Sequence, residues 1–199
     1  MEKRRDGKVT ALVALFIGVI GLSIGFASLS TALSINGSAT VESSNWDIHF
    51  ANLQNFAKTG TAAQVTAPTI KGEGSTVIGD YSVTLQTPKD SISYTFDIVN
   101  GGDYAAKIST ITVPTPQCTG TGTSATTDAE NVCKYLTYTL KYTGTNADVQ
   151  ANDELAAGAT KTVKLTLTYD EAGAATAAEL PKGDVSISNL QIPITYVQK

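Results

Sequence analysis

Three stretches of the chain alternate hydrophobic and polar side chains with a period of two: residues 92–98, 136–142 and 163–169. Because successive side chains of a β-strand point to opposite faces of a sheet, each stretch is typical of a strand with one buried face and one face in water. Weaker alternation predicts further strands over residues 33–41, 46–50, 81–85, 107–113 and 185–196, the last with a bulge at Ser188-Asn189. The chain is therefore expected to be mostly β-structure.

Turn-forming residues separate the predicted strands, as in Asn100-Gly101-Gly102 and Ala157-Gly158. About eight short antiparallel strands, each with one apolar face, need a second sheet to cover that face. The pattern therefore predicts an all-β fold, an antiparallel β-sandwich of jelly-roll or immunoglobulin-like type. Residues 115–131 contain few hydrophobic residues and are predicted to form the longest loop, and residues 171–180 are predicted to form one or two helical turns.

An uncharged and strongly apolar run of nineteen residues, 9–27, precedes this β-rich part. As a helix it would span about 28 Å, close to the hydrocarbon thickness of a bilayer. The positive-inside tendency places its start in the cytoplasm and exports the remainder, because it follows Lys3, Arg4, Arg5 and Lys8. We therefore predict that residues 1–32 form a hydrophobic helix, a signal peptide or membrane anchor, and that residues 33–199 form one extracellular domain.

Small residues close behind the apolar run offer two candidate sites for signal peptidase, after Ala27 and after Ala32. The run is longer than the core of about 7–15 residues that is usual in a signal peptide, which favours a retained anchor. Cleavage and retention both stay open at this point.

Residues 33–41 leave the apolar run directly and form a candidate donor strand, with Leu33, Ile35, Ala39 and Val41 as its apolar positions. Such a strand can complete the sheet of its own chain. It can also be inserted into the sheet of a neighbour, which gives head-to-tail polymers through main-chain pairing.

The two cysteines, Cys118 and Cys133, flank the predicted long loop in a chain whose leader exports it. A disulfide between them would close a loop that stabilises the fold by on the order of 3 kcal/mol in the chain-entropy model. We predict this disulfide. The alternatives are two free thiols or a two-cysteine metal site, which no nearby histidine supports.

Composition restricts the chemistry that the chain can carry out. The formal net charge is −4 and no arginine follows Arg5, whereas nucleic-acid binders are basic and use arginine on phosphates. His49 is the single histidine, so sites with several histidines are excluded. Asp47 shares one face of a predicted strand with His49, which favours a solvated pair over a catalytic pair. We therefore expect no nucleic-acid partner, no enzymatic activity and no cofactor.

Carboxylates cluster at two strand ends, one cluster holding Asp148, Asp153 and Glu154 and the other Asp170 and Glu171. Grouped carboxylates can bind Ca²⁺, which takes several oxygen ligands. Neither cluster has the spacing and central glycine of an EF-hand loop. We expect solvated surface and no metal site, with calcium binding as the alternative.

Four segments can be compared with known families: the apolar leader that runs straight into a strand, "YTFDIVNGGDYAAKI" at residues 94–108, "LAAGATKTVKLTLTYD" at residues 155–170 and "LQIPITYVQ" near the end. Together they resemble the exported β-sandwich proteins of the TasA/camelysin group. The resemblance covers most of the chain. It implies a subunit of a surface or biofilm fibre, in which an N-terminal strand passes between neighbouring copies.

The leading hypothesis is a non-enzymatic bacterial protein of the cell surface or extracellular matrix, a fibre subunit that forms homo-oligomers or homopolymers. If its leader is retained, the N-terminal segment also contacts the membrane. The alternative is a monomeric, membrane-anchored adhesion module that binds a surface glycan or protein through its loops, residues 115–131 in particular. A third hypothesis is a secreted hydrolase that uses His49.

Overall fold

The computed structural model describes residues 43–54, 56–79 and 81–199, together with Leu12, Ala14 and Leu15. Residues 43–199 form one compact unit. The rest of the predicted hydrophobic helix lies outside the described residues. So do the candidate cleavage and donor-strand positions Ala27, Ala32, Leu33, Ile35, Ala39 and Val41. In the described part of the chain, no helix has the length and apolarity that crossing a bilayer requires.

The described residues form fourteen strands and one α-helix, which confirms the all-β class. In chain order the elements are β1 (Ile48–Ala51), β2 (Ala57–Thr59), β3 (Ala63–Thr66), β4 (Thr69–Lys71), β5 (Val77–Gly79), β6 (Ser82–Thr84), β7 (Ser91–Asn100), β8 (Ala106–Ile111), β9 (Gln117–Gly120), α1 (Ala125–Lys134), β10 (Leu136–Tyr142), β11 (Glu154–Leu155), β12 (Thr160–Tyr169), β13 (Val185–Ser188) and β14 (Ile194–Gln198). A short 3-10 turn, Glu73–Ser75, joins β4 to β5.

The largest sheet is antiparallel and has the strand order β1-β7-β12-β10, with β2 also pairing with β7. The three strands with the clearest alternation, β7, β10 and β12, are its long members. Their register places Tyr94 opposite Leu165 and Phe96 opposite Val163. Because side chains alternate along each strand, this register puts the hydrophobic side chains of all three strands on one face.

A second antiparallel sheet has the order β11-β8-β14, and three two-stranded sheets pair β13 with β9, β3 with β6 and β4 with β5. Ile108 of β8 and Leu155 of β11 are buried in the same hydrophobic cluster as the inner face of the largest sheet. That cluster also contains Ile92, Tyr94, Phe96, Ile98, Tyr138, Leu140, Val163, Leu165 and Leu167. One core therefore serves both sheets.

The predicted long loop at residues 115–131 is wrong, because the structure has β9 and most of α1 in that stretch. The helix buries only Asp128 and Val132, which explains its weak hydrophobic pattern in the sequence. Residues 171–180 form turns and no helix.

The predicted bulge at Ser188-Asn189 is also wrong. β13 and β14 are separate strands that pair with β9 and β8 in different sheets. Asn189 has a φ of 59°, a left-handed conformation that ends β13, and β14 begins only at Ile194.

The predicted disulfide is confirmed: Cys118 of β9 and Cys133 of α1 are bonded, with their Cα atoms 5.8 Å apart. The free-thiol and two-cysteine metal alternatives are therefore excluded. The bond fixes the helix to strand β9, which itself pairs with β13.

Candidate binding cavity

A cavity of about 850 Å³ opens beside β6, α1 and β13. Three parts of the chain line it: residues 81–86, the inward-facing side chains where α1, β10 and β12 meet, and residues from 181 to 190. β6 and β13 each belong to a two-stranded sheet, so each has a second edge that pairs with no strand among the described residues. The cavity thus lies where small sheets leave the core incompletely covered.

The lining of the cavity combines a buried apolar wall with polar residues. Val132 and Leu167 are buried core residues, and Leu136 and Leu190 pack against the core cluster. Apart from Tyr81 and Tyr169, the polar lining residues that carry no charge are Ser82, Thr84, Gln86 and Ser186. The lining holds one lysine and one aspartate, Lys182 and Asp184, whose formal charges cancel.

Tyr169 lines the cavity and is only 4% exposed. Its hydroxyl is buried and has no hydrogen-bond partner in the described residues. Burial, with the nearby charge of Asp170, raises the pKa of this hydroxyl, so it stays protonated and can both donate and accept. A buried polar group without a partner costs about 1–3 kcal/mol. The hydroxyl is therefore enclosed behind the cavity lining, without the accessible surface that contact with a ligand would need.

The end of β6 is held by the buried carboxylate of Asp90, which is 0% exposed. It accepts hydrogen bonds from the backbone N–H groups of Thr61 (2.7 Å), Gln86 (2.7 Å) and Thr87 (3.0 Å). The hydroxyls of Thr61 and Thr87 also donate to it, at 2.8 and 3.1 Å. Burial alone would raise the pKa of Asp90, but these five donors hold it well below its usual range. Asp90 is therefore ionised, and its carboxylate holds the backbone of Gln86, a residue of the cavity lining, in place.

Gly60 makes the Asp90 arrangement sterically possible. Its φ is 65°, in the left-handed region that favours glycine, and a Cβ at this position would collide with Oδ1 of Asp90. The turn after β2 is thus shaped to bring the Thr61 donors onto the carboxylate.

The opposite part of the lining is held by Asp128 of α1, which is 3% exposed. Its Oδ2 accepts hydrogen bonds from the backbone N–H groups of Lys182 (3.1 Å) and Gly183 (3.0 Å). The disulfide fixes the same helix to β9, and β9 pairs with β13 through Cys118 and Ile187. Residues 182–187 are therefore held at both ends.

A third connection joins the base of the cavity to the largest sheet. The Tyr138 hydroxyl donates to the carbonyl of Leu190 at 2.7 Å and lies 3.0 Å from the Tyr81 hydroxyl. Because Tyr138 donates its proton to Leu190, the Tyr81 hydroxyl is the donor between the two rings. Burial raises the pKa of both hydroxyls, so both remain protonated. Tyr81 and Leu190, which both line the cavity, are thus connected through β10.

A smaller cleft of about 250 Å³ lies beside the edge strands β1 and β14. Its lining is mostly apolar and includes Trp46, Ile48, Phe50, Ile98, Ile194 and Tyr196. Trp46 is 45% exposed there. His49 also lines this cleft, and its Nδ1 lies 2.8 Å from Oδ1 of Asp47. Both side chains of this pair are partly exposed.

The acidic clusters found in the sequence have structural partners. Oδ2 of Asp153 accepts from the Tyr142 hydroxyl and the Gln150 N–H, and Asp170 accepts from the N–H groups of Ala174 and Ala175. Within the described ranges, no three His, Cys, Asp or Glu side chains are grouped so that they could hold a metal ion.

Sequence reasoning missed Asp90, Asp128 and Tyr169. A usable signal existed only for Asp90, which ends the turn-forming stretch Thr87-Pro88-Lys89-Asp90 directly before the alternating residues of β7. The contacts of Asp128 and Tyr169 depend on segments that meet only in the folded chain.

Comparison of the chain with protein-family models, with curated proteins and with solved structures finds no match.

Proposed function

We propose that this chain is a non-enzymatic structural protein of the bacterial cell surface or extracellular matrix that associates with copies of itself. The observation that carries the proposal is the apolar cleft beside two sheet-edge strands, β1 and β14. The predicted donor strand, residues 33–41, directly precedes the unit that contains this cleft.

The proposed architecture is a β-sandwich of jelly-roll or immunoglobulin-like type over residues 33–199. Its two layers are the largest sheet and the β11-β8-β14 sheet. Their shared hydrophobic cluster supports this arrangement, since Ile108 and Leu155 of one sheet pack with Tyr94 and Leu165 of the other.

The proposed assembly uses the unpaired edges of β1 and β14. Among the described residues, β1 pairs only with β7, and β14 pairs only with β8. An unpaired edge is a template for another strand, and the cleft supplies apolar contacts for alternate side chains of that strand. Insertion of residues 33–41 from one copy into the next is a heterologous contact, which builds a polymer.

Export is the second part of the proposal. The basic and apolar leader, residues 1–32, supports passage through the cytoplasmic membrane, with cleavage after Ala27 or Ala32 or retention as an anchor. The Cys118–Cys133 disulfide supports an oxidising, extracellular environment, where such bonds persist.

The experiment compares residues 33–199 with residues 43–199 by electron microscopy and size-exclusion chromatography, with circular dichroism as the check on folding. The longer chain is expected to form fibres, and the shorter chain is expected to stay monomeric and to bind a synthetic peptide of residues 33–41. A folded but strictly monomeric longer chain at all salt concentrations and pH values would refute the proposal.

A matched pair of substitutions tests the cleft itself. Trp46→Lys places a charge in the cleft, whereas Tyr104→Lys changes an aromatic residue of similar exposure, 41% against 45%, outside it. Fibre formation is expected to fail only for Trp46→Lys. If the two variants formed fibres equally well, the contact between copies would lie outside the cleft.

A second candidate function is a membrane-anchored binding or adhesion module that recognises a glycan or a protein. The cavity beside β6 and β13, with an apolar wall and uncharged polar residues in its lining, favours this candidate. A monomeric protein that binds a ligand at this cavity would support it over the fibre subunit.

A further inference from the structure

We infer that the cavity beside β6, α1 and β13 is a binding site for a neutral oligosaccharide. Such a site goes beyond a fibre subunit and is compatible with one. It rests on the binding function given above as the second candidate, and it supplies that function with a location and a ligand class.

The size of the cavity suits a ligand of several rings. Its volume of about 850 Å³ falls within the range of about 300–1,000 Å³ that is usual for ligand pockets. The cavity also has an apolar wall, formed by Leu136, Leu167 and Leu190, against which the C–H faces of a sugar ring can pack.

The charges of the lining favour a neutral ligand. Lys182 and Asp184 are the two charged residues that line the cavity, and their formal charges cancel. A phosphate or nucleotide site would need an excess of cationic donors, and a divalent cation would need several carboxylates. The cavity lining has neither.

The polar lining suits a ligand with many hydroxyl groups. The hydroxyls of Ser82, Thr84 and Ser186 and the carboxamide of Gln86 each donate and accept hydrogen bonds, as sugar hydroxyls do.

An extended peptide is a poorer fit than an oligosaccharide. Peptides that add to a sheet edge gain their affinity from a row of main-chain hydrogen bonds. The edges beside this cavity are short, since β6 has three residues and β13 has four. Each also belongs to a sheet of only two strands, unlike β1 and β14, which are edges of the two larger sheets. The edges beside the cavity therefore offer few such bonds, whereas the side-chain donors and acceptors are numerous.

The lining is held in place before any ligand binds. Asp90 fixes Gln86, Asp128 fixes Lys182 and Gly183, and Tyr138 fixes Leu190. A pre-organised site spends less free energy on ordering its side chains when the ligand arrives.

The test uses the full 199-residue chain in a detergent without a sugar headgroup. An array of neutral and charged oligosaccharides, together with a library of extended peptides, is screened, and isothermal titration calorimetry measures the strongest binder. At least one neutral oligosaccharide is expected to bind. No neutral binder, or binding only to charged glycans or peptides, would overturn the assignment.

Two glutamine variants locate the site. Gln86→Ala removes a carboxamide from the cavity lining, and Gln150→Ala removes one that lies outside that lining. The two positions are matched, because each glutamine is exposed and its backbone N–H donates to an aspartate, Asp90 or Asp153. Affinity for the sugar is expected to fall about tenfold in Gln86→Ala, the loss of one hydrogen bond, and to stay unchanged in Gln150→Ala. Equal affinities in the two variants would overturn the site.

Controls separate this result from misfolding and from the fibre proposal. Both variants should unfold at nearly the same temperature as the unsubstituted protein, because each substitution lies at an exposed position and keeps the backbone N–H. Electron microscopy of the same samples records assembly independently of sugar binding. Fibres without sugar binding would therefore refute the site alone, and sugar binding without fibres would refute the assembly alone.

Discussion

Asp90→Asn tests whether one buried carboxylate organises two turns of the protein. Oδ1 accepts from the Thr61 N–H and the Thr87 hydroxyl, and Oδ2 accepts from the Thr61 hydroxyl and the N–H groups of Gln86 and Thr87. The substitution keeps the shape of the side chain but replaces one acceptor oxygen by an NH₂ group. In either orientation of the amide, at least one partly buried backbone N–H loses its acceptor.

The expected loss follows from these contacts. An unsatisfied buried donor costs about 1–3 kcal/mol, and each hydrogen bond that remains loses its charged acceptor. We expect Asp90→Asn to lower the free energy of unfolding by about 2–4 kcal/mol at pH 7. For a unit of this size that corresponds to a fall in Tm of about 5–15 °C.

The dependence on pH has a definite sign. The pKa of Asp90 is lower in the folded protein than its unfolded value of about 3.9. The carboxylate therefore stabilises the fold fully above that pH, and this stabilisation is lost as the pH falls toward the folded pKa. The difference between the unsubstituted protein and Asp90→Asn should be constant from pH 7 to about 5 and should shrink below about pH 4.

Urea unfolding followed by circular dichroism at several pH values measures both effects. Asp97→Asn is the control, because Asp97 also accepts hydrogen bonds, from Asn52 and Thr162, but lies at the surface. It should cost less than about 1 kcal/mol. A loss in Asp90→Asn no larger than in the control, or a difference that does not change in acid, would refute the reasoning.

Two further predictions concern the other side of the cavity. Replacing Cys118 and Cys133 together by serine should lower the free energy of unfolding by about 2–4 kcal/mol, measured by urea unfolding, because the unfolded chain is no longer cross-linked. As the control, the double variant and the unsubstituted protein should be equally stable under reducing conditions. Asp128→Asn should leave the backbone N–H groups of both Lys182 and Gly183 without a charged acceptor, because both donate to the same oxygen, and should cost about 1–3 kcal/mol. Hydrogen exchange at those two amides should accelerate in Asp128→Asn, and unchanged exchange would contradict the assigned contact.

The central strands could be predicted from the sequence because packing and local pattern agree there. β7, β10 and β12 each place their hydrophobic side chains on one face, in the core, and mostly polar side chains on the other face, and this arrangement gives the alternation of period two directly. The cysteine pairing could also be predicted, since two cysteines allow a single intramolecular bridge.

The helix and the cavity could not be predicted for physical reasons. α1 buries only Asp128 and Val132, so its sequence lacks an apolar stripe, and its position depends on the disulfide and on contacts with residues 182–183. The cavity forms where β6 and β13 meet, and these strands lie far apart in the chain. The burial of Asp90 likewise follows from turns that meet only after folding.

The placement of β13 and β14 after the last strand of the largest sheet has a consequence for how the molecule is made. Every strand of that sheet lies before residue 170, so these strands are all synthesised before the final 29 residues, 171–199. Synthesis runs from the N-terminus to the C-terminus, and the elements that emerge first can pair first. Residues 171–199 then add β14 as an edge strand of the second sheet and complete the cavity lining in one late step. A nascent chain released a few dozen residues early would keep the strands of the largest sheet and lose the part of the cavity lining formed by residues 181–190.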